Sequence, residues 1–571
     1  MTTLTGGEVL LRCLAQEGVK RMIGITDEGY HAMQHHCREY GIRWVAPRHE
    51  AAGAHIAQGI YKSSGEVSAV VAGGGPGAAN VLAGVICARA EGAPMIVITA
   101  QRRKEVVYPS KIGVYQGTDQ LDWFRPHTKW NAVVHDWARI PEIVSRAFRE
   151  ALSGRPGPVQ IDVLQNVMDQ KGDASKLCFL APHQYRALHR VEPSADEVAE
   201  IARLLARAEK PLLMAGQGVL DSEGWSEFQA LVEFLDVPAV TTIAGRSVLS
   251  DFHPNKLRGG TPGAFQARRE SDLVVVLGSC LGELDLPFDK YWGGPEQKIV
   301  QVDIDSRSLG LHRPLHLGVE GDARATCRLL LERVAADGVK PRDHARVAAL
   351  VGINEKAALE IGEIVSQAFA DDRIHPVQSI RAVNEVFPAD SIAVVDGGNT
   401  SLFVGAFGRV TQPRSVLGLF EFGHLGTGIP MAIGAKLANP DRQVFCITGD
   451  GAAGFNFMEM ETAVREGANI TVIVHAEGSW CMEEIFHMME QADPETYQRS
   501  VHMAPTRWDQ IGAAVGCHAE FVERRAQLVP ALQRAVAEER PSVVCVKTSR
   551  EANLIPPDAE SFAEVYTGVQ E

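Results

Sequence analysis

The 571-residue chain predicts an α/β fold of three doubly wound parallel-sheet domains. Three observations predict it. Short apolar runs rich in Val and Ile alternate with helical stretches along the whole length, the pattern of strands buried on both faces. The 54 glycines suit the many tight strand-to-helix turns of such a fold. The length exceeds what one hydrophobic core supports. Taken in order, MTTLTGGEVLLRCLAQEG predicts an amphipathic helix behind a Thr cap. Strands follow at Met22–Ile25, Val67–Ala72, Met95–Thr99 and Pro158–Leu164. A charged, irregular stretch at Leu188–Ala195 reads as a linker. The second unit has strands at Pro211–Ala215, Ala239–Thr242, Leu273–Gly278 and Ile299–Asp303. After a polar break at Ala336–Ala345, a helix from about Arg346 to Phe369 leads into the last unit. Its strands are Ile392–Val395, Val444–Thr448, Ile470–Val474 and Ser542–Lys547. The expected domains are 1–185, 190–345 and 360–550, with a Pro- and acid-rich tail at 551–571 that wraps over the surface.

Composition excludes several classes. Apolar residues make up 45% and charged residues 22%, as in ordinary globular proteins. The formal charge of −15 argues against nucleic acid or an anionic membrane as the main partner. Arg102-Arg103-Lys104 is a local exception, read as a solvated loop ahead of an anion site. The ten cysteines show no CxxC spacing and read as reduced thiols. There is no unbroken apolar run of membrane-spanning length and no basic, apolar leader, so a cytoplasmic protein is expected.

The chemistry concentrates in Gly449–Trp480. A buried-looking strand runs into Gly449-Asp450-Gly451, a helical segment follows, and a second apolar run comes after it. Small residues after a strand let backbone N–H groups approach a phosphate, and a helix start adds positive potential. Asp450 is placed to hold a divalent cation that bridges to phosphate oxygens. Three further segments accompany this turn: Arg48-His49-Glu50-Ala51-Ala52 with the later Val71–Gly77 run, Tyr115–Gln120 (YQGTDQ), and Gly423–Pro430 (GHLGTGIP).

In this order and at these separations the four segments resemble the thiamin-diphosphate enzymes of the acetolactate synthase, pyruvate decarboxylase and benzaldehyde lyase group. The resemblance covers nearly the whole chain. The N-terminal helix and Ser479-Trp480 look most like the benzaldehyde lyases, and YQGTDQ most like the acetolactate synthases. The resemblance implies pyrimidine-binding, central and diphosphate-binding domains in that order. Glu50 matches the glutamate that bonds the aminopyrimidine ring of the cofactor. Leu425 matches the apolar residue beneath the bent cofactor, and Gly423 the carbonyl that accepts from its 4′-amino group. Asn399, Thr400, Gly449, Gly451 and Ala452 would contact the diphosphate, with Trp480 beside them. Gln116, His49, Glu28 and Trp480 are candidate substrate-pocket groups. The resemblance also implies a small carbonyl substrate and a homodimer or homotetramer with cofactor sites between subunits. FAD is not expected, because SCLGELDLPF after the Leu273–Gly278 strand lacks the corresponding contact segment.

One position departs from the pattern. The second Asn of the expected Asn-Asn pair is a magnesium ligand in these enzymes, together with Asp450 and the Ser479 carbonyl. This chain has Ala476-Glu477, with Glu477 at that position, 27 residues after Asp450. Glu477 either ligates Mg²⁺ or another divalent ion, or points away while water fills the shell, or marks a weakened site. The expected activity is cleavage or formation of a C–C bond next to a carbonyl. The alternative is a non-catalytic homologue that acts as a binding or assembly subunit.

Overall fold

The computed structural model describes residues 3–342, 344–368, 372–557 and 559–567. They form three six-stranded sheets in which every neighbouring pair is parallel. The N-terminal sheet runs in the order Arg43–Val45, Arg21–Gly24, Ala69–Ala72, Ile96–Gln101, Val159–Leu164, Asn131–Val134. The central sheet runs Lys256–Arg258, Ala239–Thr241, Pro211–Ala215, Leu273–Leu277, Lys298–Asp303, Leu317–Glu320. The C-terminal sheet runs Val416–Leu417, Ile392–Asp396, Val444–Gly449, Ile470–His475, Ser542–Val546, His518–Val522. The inner strands are buried at every residue or nearly so, because helices cover both faces; this is why they read as unbroken apolar runs. The sequence reading missed the outer strand on each edge of all three sheets. It also missed a short antiparallel ribbon that pairs Thr3–Thr5 with Lys171–Asp173.

The N-terminal helix spans Gly6–Gln16 and begins at a Thr5–Glu8 capping box. Helix Ala345–Ala368 follows the second polar break; Phe369, its expected last residue, lies outside the described residues. It lies on the central domain, where the Asn354 side chain accepts from the Gly263 N–H at 2.8 Å. The tail also returns there: helix Ala559–Thr567 places Glu564 2.9 Å from the Tyr291 hydroxyl.

The first and third sheets share one hydrophobic core. Its centre is the crossing of helices Glu50–Ser64 and Gly428–Ala438. Gly59 and Gly434 permit that crossing, since a Cβ on Gly59 would strike the Met431 carbonyl and one on Gly434 the Ile56 carbonyl. Backbone rather than a flexible side chain stands in the way, so the helices must separate to admit a methyl group. Gly434→Ala is expected to destabilise the fold by roughly 1–3 kcal/mol, read as a lower thermal midpoint. Arg414 ties all three domains together, donating to the carbonyls of Tyr61 at 2.9 Å and Leu220 at 3.0 Å.

Candidate cofactor site

The C-terminal ends of two adjacent strands build the first part of the site. Asp396 and Thr448 are register partners, so the turns that follow them emerge side by side. One leads into helix Gly398–Phe407 and the other into helix Asp450–Asn456, and neither N-terminus has a side-chain cap. The N–H ends of two helix dipoles therefore converge. Gly397 adopts φ 98°, which only glycine takes readily. A Cβ there would lie 3.4 Å from the Gly449 nitrogen and 3.6 Å from the Ala452 Cβ. Thr400 closes the same corner, with its hydroxyl 3.3 Å from where a Gly449 Cβ would stand. The Trp480 ring covers Gly451, where a Cβ would come within 2.6 Å of it. The fold thus gathers Asn399, Thr400, Gly449, Asp450, Gly451, Ala452 and Trp480 into one cradle.

Beside the cradle lie two carboxylates. Asp450 accepts from the Gly451 N–H at 2.9 Å and the Gly478 N–H at 2.7 Å. Burial pushes its carboxyl up to about 6. Glu477 accepts from the Thr548 hydroxyl at 2.7 Å. Burial first, and then the charge of Asp450, raise its carboxyl well above the usual range. Two carboxylates that disfavour each other's ionisation in a desolvated place make a ready pocket for a divalent cation, which removes the repulsion. Ser479 is buried next to them, its hydroxyl donating to Glu484 at 2.7 Å.

The polar atoms around the pair are incompletely satisfied. Asn553, fully buried, turns its amide N–H towards Glu477, and its Oδ1 has no partner among the described residues. The same holds for Asn399 Oδ1, although Asn399 Nδ2 donates to the Asn553 carbonyl at 2.6 Å. Orphaned buried amides, uncapped helix starts and paired carboxylates form a donor set suited to a diphosphate with its metal ion.

A second segment sits on the same sheet. Buried Asp396 accepts from the N–H groups of Gly426 at 3.2 Å and Gly428 at 2.8 Å, and so fixes the loop before helix Gly428–Ala438. Burial pushes its carboxyl up to about 6. In that loop Leu425 is half-buried, and Gly423 is exposed at φ 65° with open space around its Cα.

The N-terminal domain supplies the remaining candidates. Glu50 opens helix Glu50–Ser64, half-buried, and accepts from the Asn80 amide at 3.0 Å. His49 caps that helix, its Nδ1 accepting from the Ala51 N–H at 3.2 Å. Glu459 reaches across from the C-terminal domain to the N–H groups of Arg48 at 2.9 Å and His49 at 3.1 Å, so it clamps the backbone just before Glu50. Burial raises the Glu459 carboxyl to about 7. A carboxyl raised in the fold stabilises below its unfolded value and loses that contribution as pH rises through about 7. Glu459→Gln is therefore expected to flatten the fall in stability between pH 5 and 8, by on the order of 2 kcal/mol in paired denaturation curves.

Gln116 lies in a long loop at φ 56°, its backbone against Gly75. Buried Asp162 anchors that loop. It accepts from Thr99 and Gln120, each at 2.7 Å, and from Tyr108, while Gln120 Oε1 in turn accepts from the Gly75 N–H at 2.7 Å. Glu28 is exposed, and its charge faces Asp169. Its neighbour Asp27 is the one that reaches the glycine turn, with its carboxylate against Gly73. The contacts of the Glu50 carboxylate, with Asn80 and Gly77, stay in its own domain, whereas the cradle's contacts stay within 396–553.

Sequence reasoning did not single out Asp27, Asp162, Asp396, Glu459, Thr548 or Asn553. Asp396 had a local signal, an acid that ends an apolar strand before Gly-Gly-Asn. The two backbone partners of Glu459 lie 411 and 410 residues away, and no local pattern reveals them.

Two helix starts side by side, flanked by a carboxylate pair, in a chain of three parallel-sheet domains, make a site suited to an anion with a divalent ion. Family comparison gives the particular class. The thiamine pyrophosphate enzyme N-terminal TPP binding domain matches residues 4–123, the central domain 198–330, and the C-terminal TPP binding domain 396–546. The chain belongs to the thiamine pyrophosphate enzyme family and is an enzyme that uses thiamin diphosphate. It is 30% identical to a probable acetolactate synthase large subunit of Methanocaldococcus jannaschii, over 82% of this chain and 79% of the relative. It is 28% identical to the acetolactate synthase isozyme 1 large subunit of Escherichia coli K12, over 97% and 96%. It is also 28% identical to a sulfoacetaldehyde acetyltransferase of Alcaligenes xylosoxydans xylosoxydans, over 93% and 90%. No helix among the described residues is long and apolar enough to cross a membrane.

Proposed function

We propose that the chain cleaves or forms a carbon–carbon bond adjacent to a carbonyl, on a 2-oxo acid, a 2-hydroxy ketone or a related acyl donor. The carrying observation is the Asp450–Glu477 pair set at two uncapped helix starts, with Leu425 and Gly423 on the neighbouring loop. When bound, thiamin diphosphate supplies a carbon nucleophile and an electron sink. Asp450, Glu477 and the Ser479 carbonyl would hold Mg²⁺ or another divalent ion, and Asn399, Thr400 and the N–H groups of 449–452 would hold the diphosphate. Leu425 would offer its apolar side chain to the cofactor rings, and the Gly423 carbonyl would accept from the 4′-amino group. Glu50 would share a proton with the aminopyrimidine ring nitrogen, which favours the tautomer that acts as a base. His49, Gln116 and Glu28 are the proposed substrate-facing groups, joined by Asp27.

A homodimer or homotetramer fits the separation of Glu50 from the cradle in one chain. Exposed Phe422, Phe455 and Met458 on the cradle domain offer apolar surface for a second subunit. Ten free cysteines fit a reducing cytoplasm. The proposed domain limits stay at 1–185, 190–345 and 360–550.

The test is a panel of 2-oxo acids and acyloins with thiamin diphosphate and Mg²⁺, followed by carbon dioxide release and chromatography of the ketol products. Turnover of at least one substrate class is expected. Cofactor binding without turnover across the panel would move the chain to the assembly-subunit reading.

A further inference from the structure

At the seam of the N- and C-terminal domains, His55, Cys87 and His424 bring three ligand atoms within 4.8 Å of one another. The cofactor reading uses none of their side chains. His55 comes from helix Glu50–Ser64, Cys87 from helix Pro76–Ala90, and His424 from the loop that carries Leu425. His55 and Cys87 are fully buried, and His424 is half-buried.

Two buried atoms here lack partners among the described residues: His55 Nε2 and Gln58 Oε1. Gln58 Nε2 lies 3.1 Å from His55 Nδ1, and its other contacts, to the Ala54 and Gly84 carbonyls, are long at 3.5 and 3.3 Å. Turning the Gln58 amide over sets Oε1 against an Nδ1–H and leaves a lone pair on His55 Nε2, in exchange for the two long contacts to the Ala54 and Gly84 carbonyls. His424 already has this form. Its Nδ1 lies 2.8 Å from the Leu425 carbonyl, a pure acceptor, so the proton is on Nδ1 and the lone pair on Nε2. Imidazoles oriented by an N–H donated to a carbonyl are the arrangement that metal-binding histidines show.

We propose that His55, Cys87 and His424 form a metal site, separate from the Asp450–Glu477 pair, for Zn²⁺ or another borderline-soft divalent ion. Two imidazoles and a thiolate select such an ion, whereas paired carboxylates select Mg²⁺, so donor type sorts the two sites. Zinc bond lengths put tetrahedral N and S ligands roughly 3.5 Å apart, and side-chain rotations of about 1 Å close the present cluster to that spacing. Binding replaces the Cys87 thiol proton and releases it. The fourth position opens on the half-exposed side at His424, to water or a small ligand. The ion would staple helices Glu50–Ser64 and Pro76–Ala90 of the N-terminal domain to the Leu425 loop of the C-terminal domain.

The test is the metal content of the full-length protein expressed in zinc-supplemented medium and dialysed against EDTA, followed by cobalt substitution. About one equivalent of zinc per chain is expected to survive dialysis, and the cobalt form should show a thiolate-to-metal charge-transfer band. Cys87→Ser should abolish the band and the retained zinc, and His424→Gln should weaken retention at least about tenfold. Asp450→Asn should keep both. Circular dichroism establishes that each variant is folded. No chelator-resistant ion, no thiolate band, or zinc retention unchanged in folded Cys87→Ser would each overturn the proposal.

Discussion

Glu50→Gln is expected to lower turnover by about 10²–10⁴-fold and to leave thiamin-diphosphate affinity within about tenfold. Glutamine keeps the hydrogen-bonding length but cannot exchange a proton with the ring nitrogen. The position is structurally prepared for the swap. Glu50 begins a helix, its carboxylate meets Asn80, and the backbone before it is held by Glu459 rather than by its own side chain. The variant should therefore fold. The most specific readout is hydrogen–deuterium exchange at the thiazolium C2 of bound cofactor, followed by NMR after acid quench. Exchange should slow in step with turnover. An unchanged exchange rate would assign Glu50 to the helix start alone.

The second large effect falls on the carboxylate pair. Asp450→Ala is expected to weaken metal-dependent cofactor binding by at least about 10²-fold, since it removes a charged ligand and the acceptor that orders Gly451 and Gly478. Glu477 separates the possible roles. If it ligates, Glu477→Ala weakens binding nearly as much. Glu477→Asn keeps binding, because an amide oxygen still reaches the ion and the buried repulsion with Asp450 disappears. Calorimetric titration of cofactor with Mg²⁺, Mn²⁺ and Ca²⁺ in turn should show the wild type tolerating the larger ions better than Glu477→Asn does. A Glu477→Ala variant with wild-type affinity would mean that water, not Glu477, completes the shell.

The fold was legible where burial is two-sided and local. The inner strands, such as Leu273–Leu277 and Val444–Gly449, are apolar at successive positions and stand out in the sequence. Arg43–Val45, Leu317–Glu320 and His518–Val522 lie on sheet edges, partly exposed, and their mixed residues match no strand template. The site divides in the same way. The Gly449–Ala452 turn and the Leu425 loop are short motifs whose chemistry sits in consecutive residues. Glu459, Asn553 and Thr548 act on groups tens to hundreds of residues away, so only folding brings them to the site. Asp27 shows a finer limit. The loop after the Met22–Ile25 strand pointed to Glu28, and only the backbone path puts Asp27 on the glycine turn.

The central claim is that Asp450 and Glu477 hold a divalent ion that anchors thiamin diphosphate in the cradle. The direct measurement is calorimetric titration of thiamin diphosphate into chelator-treated protein, with and without Mg²⁺, for wild type and Asp450→Ala. Saturable binding that needs the ion and is lost in the variant is the predicted result. Binding of equal strength without the ion, or no saturable binding at all, would contradict the claim.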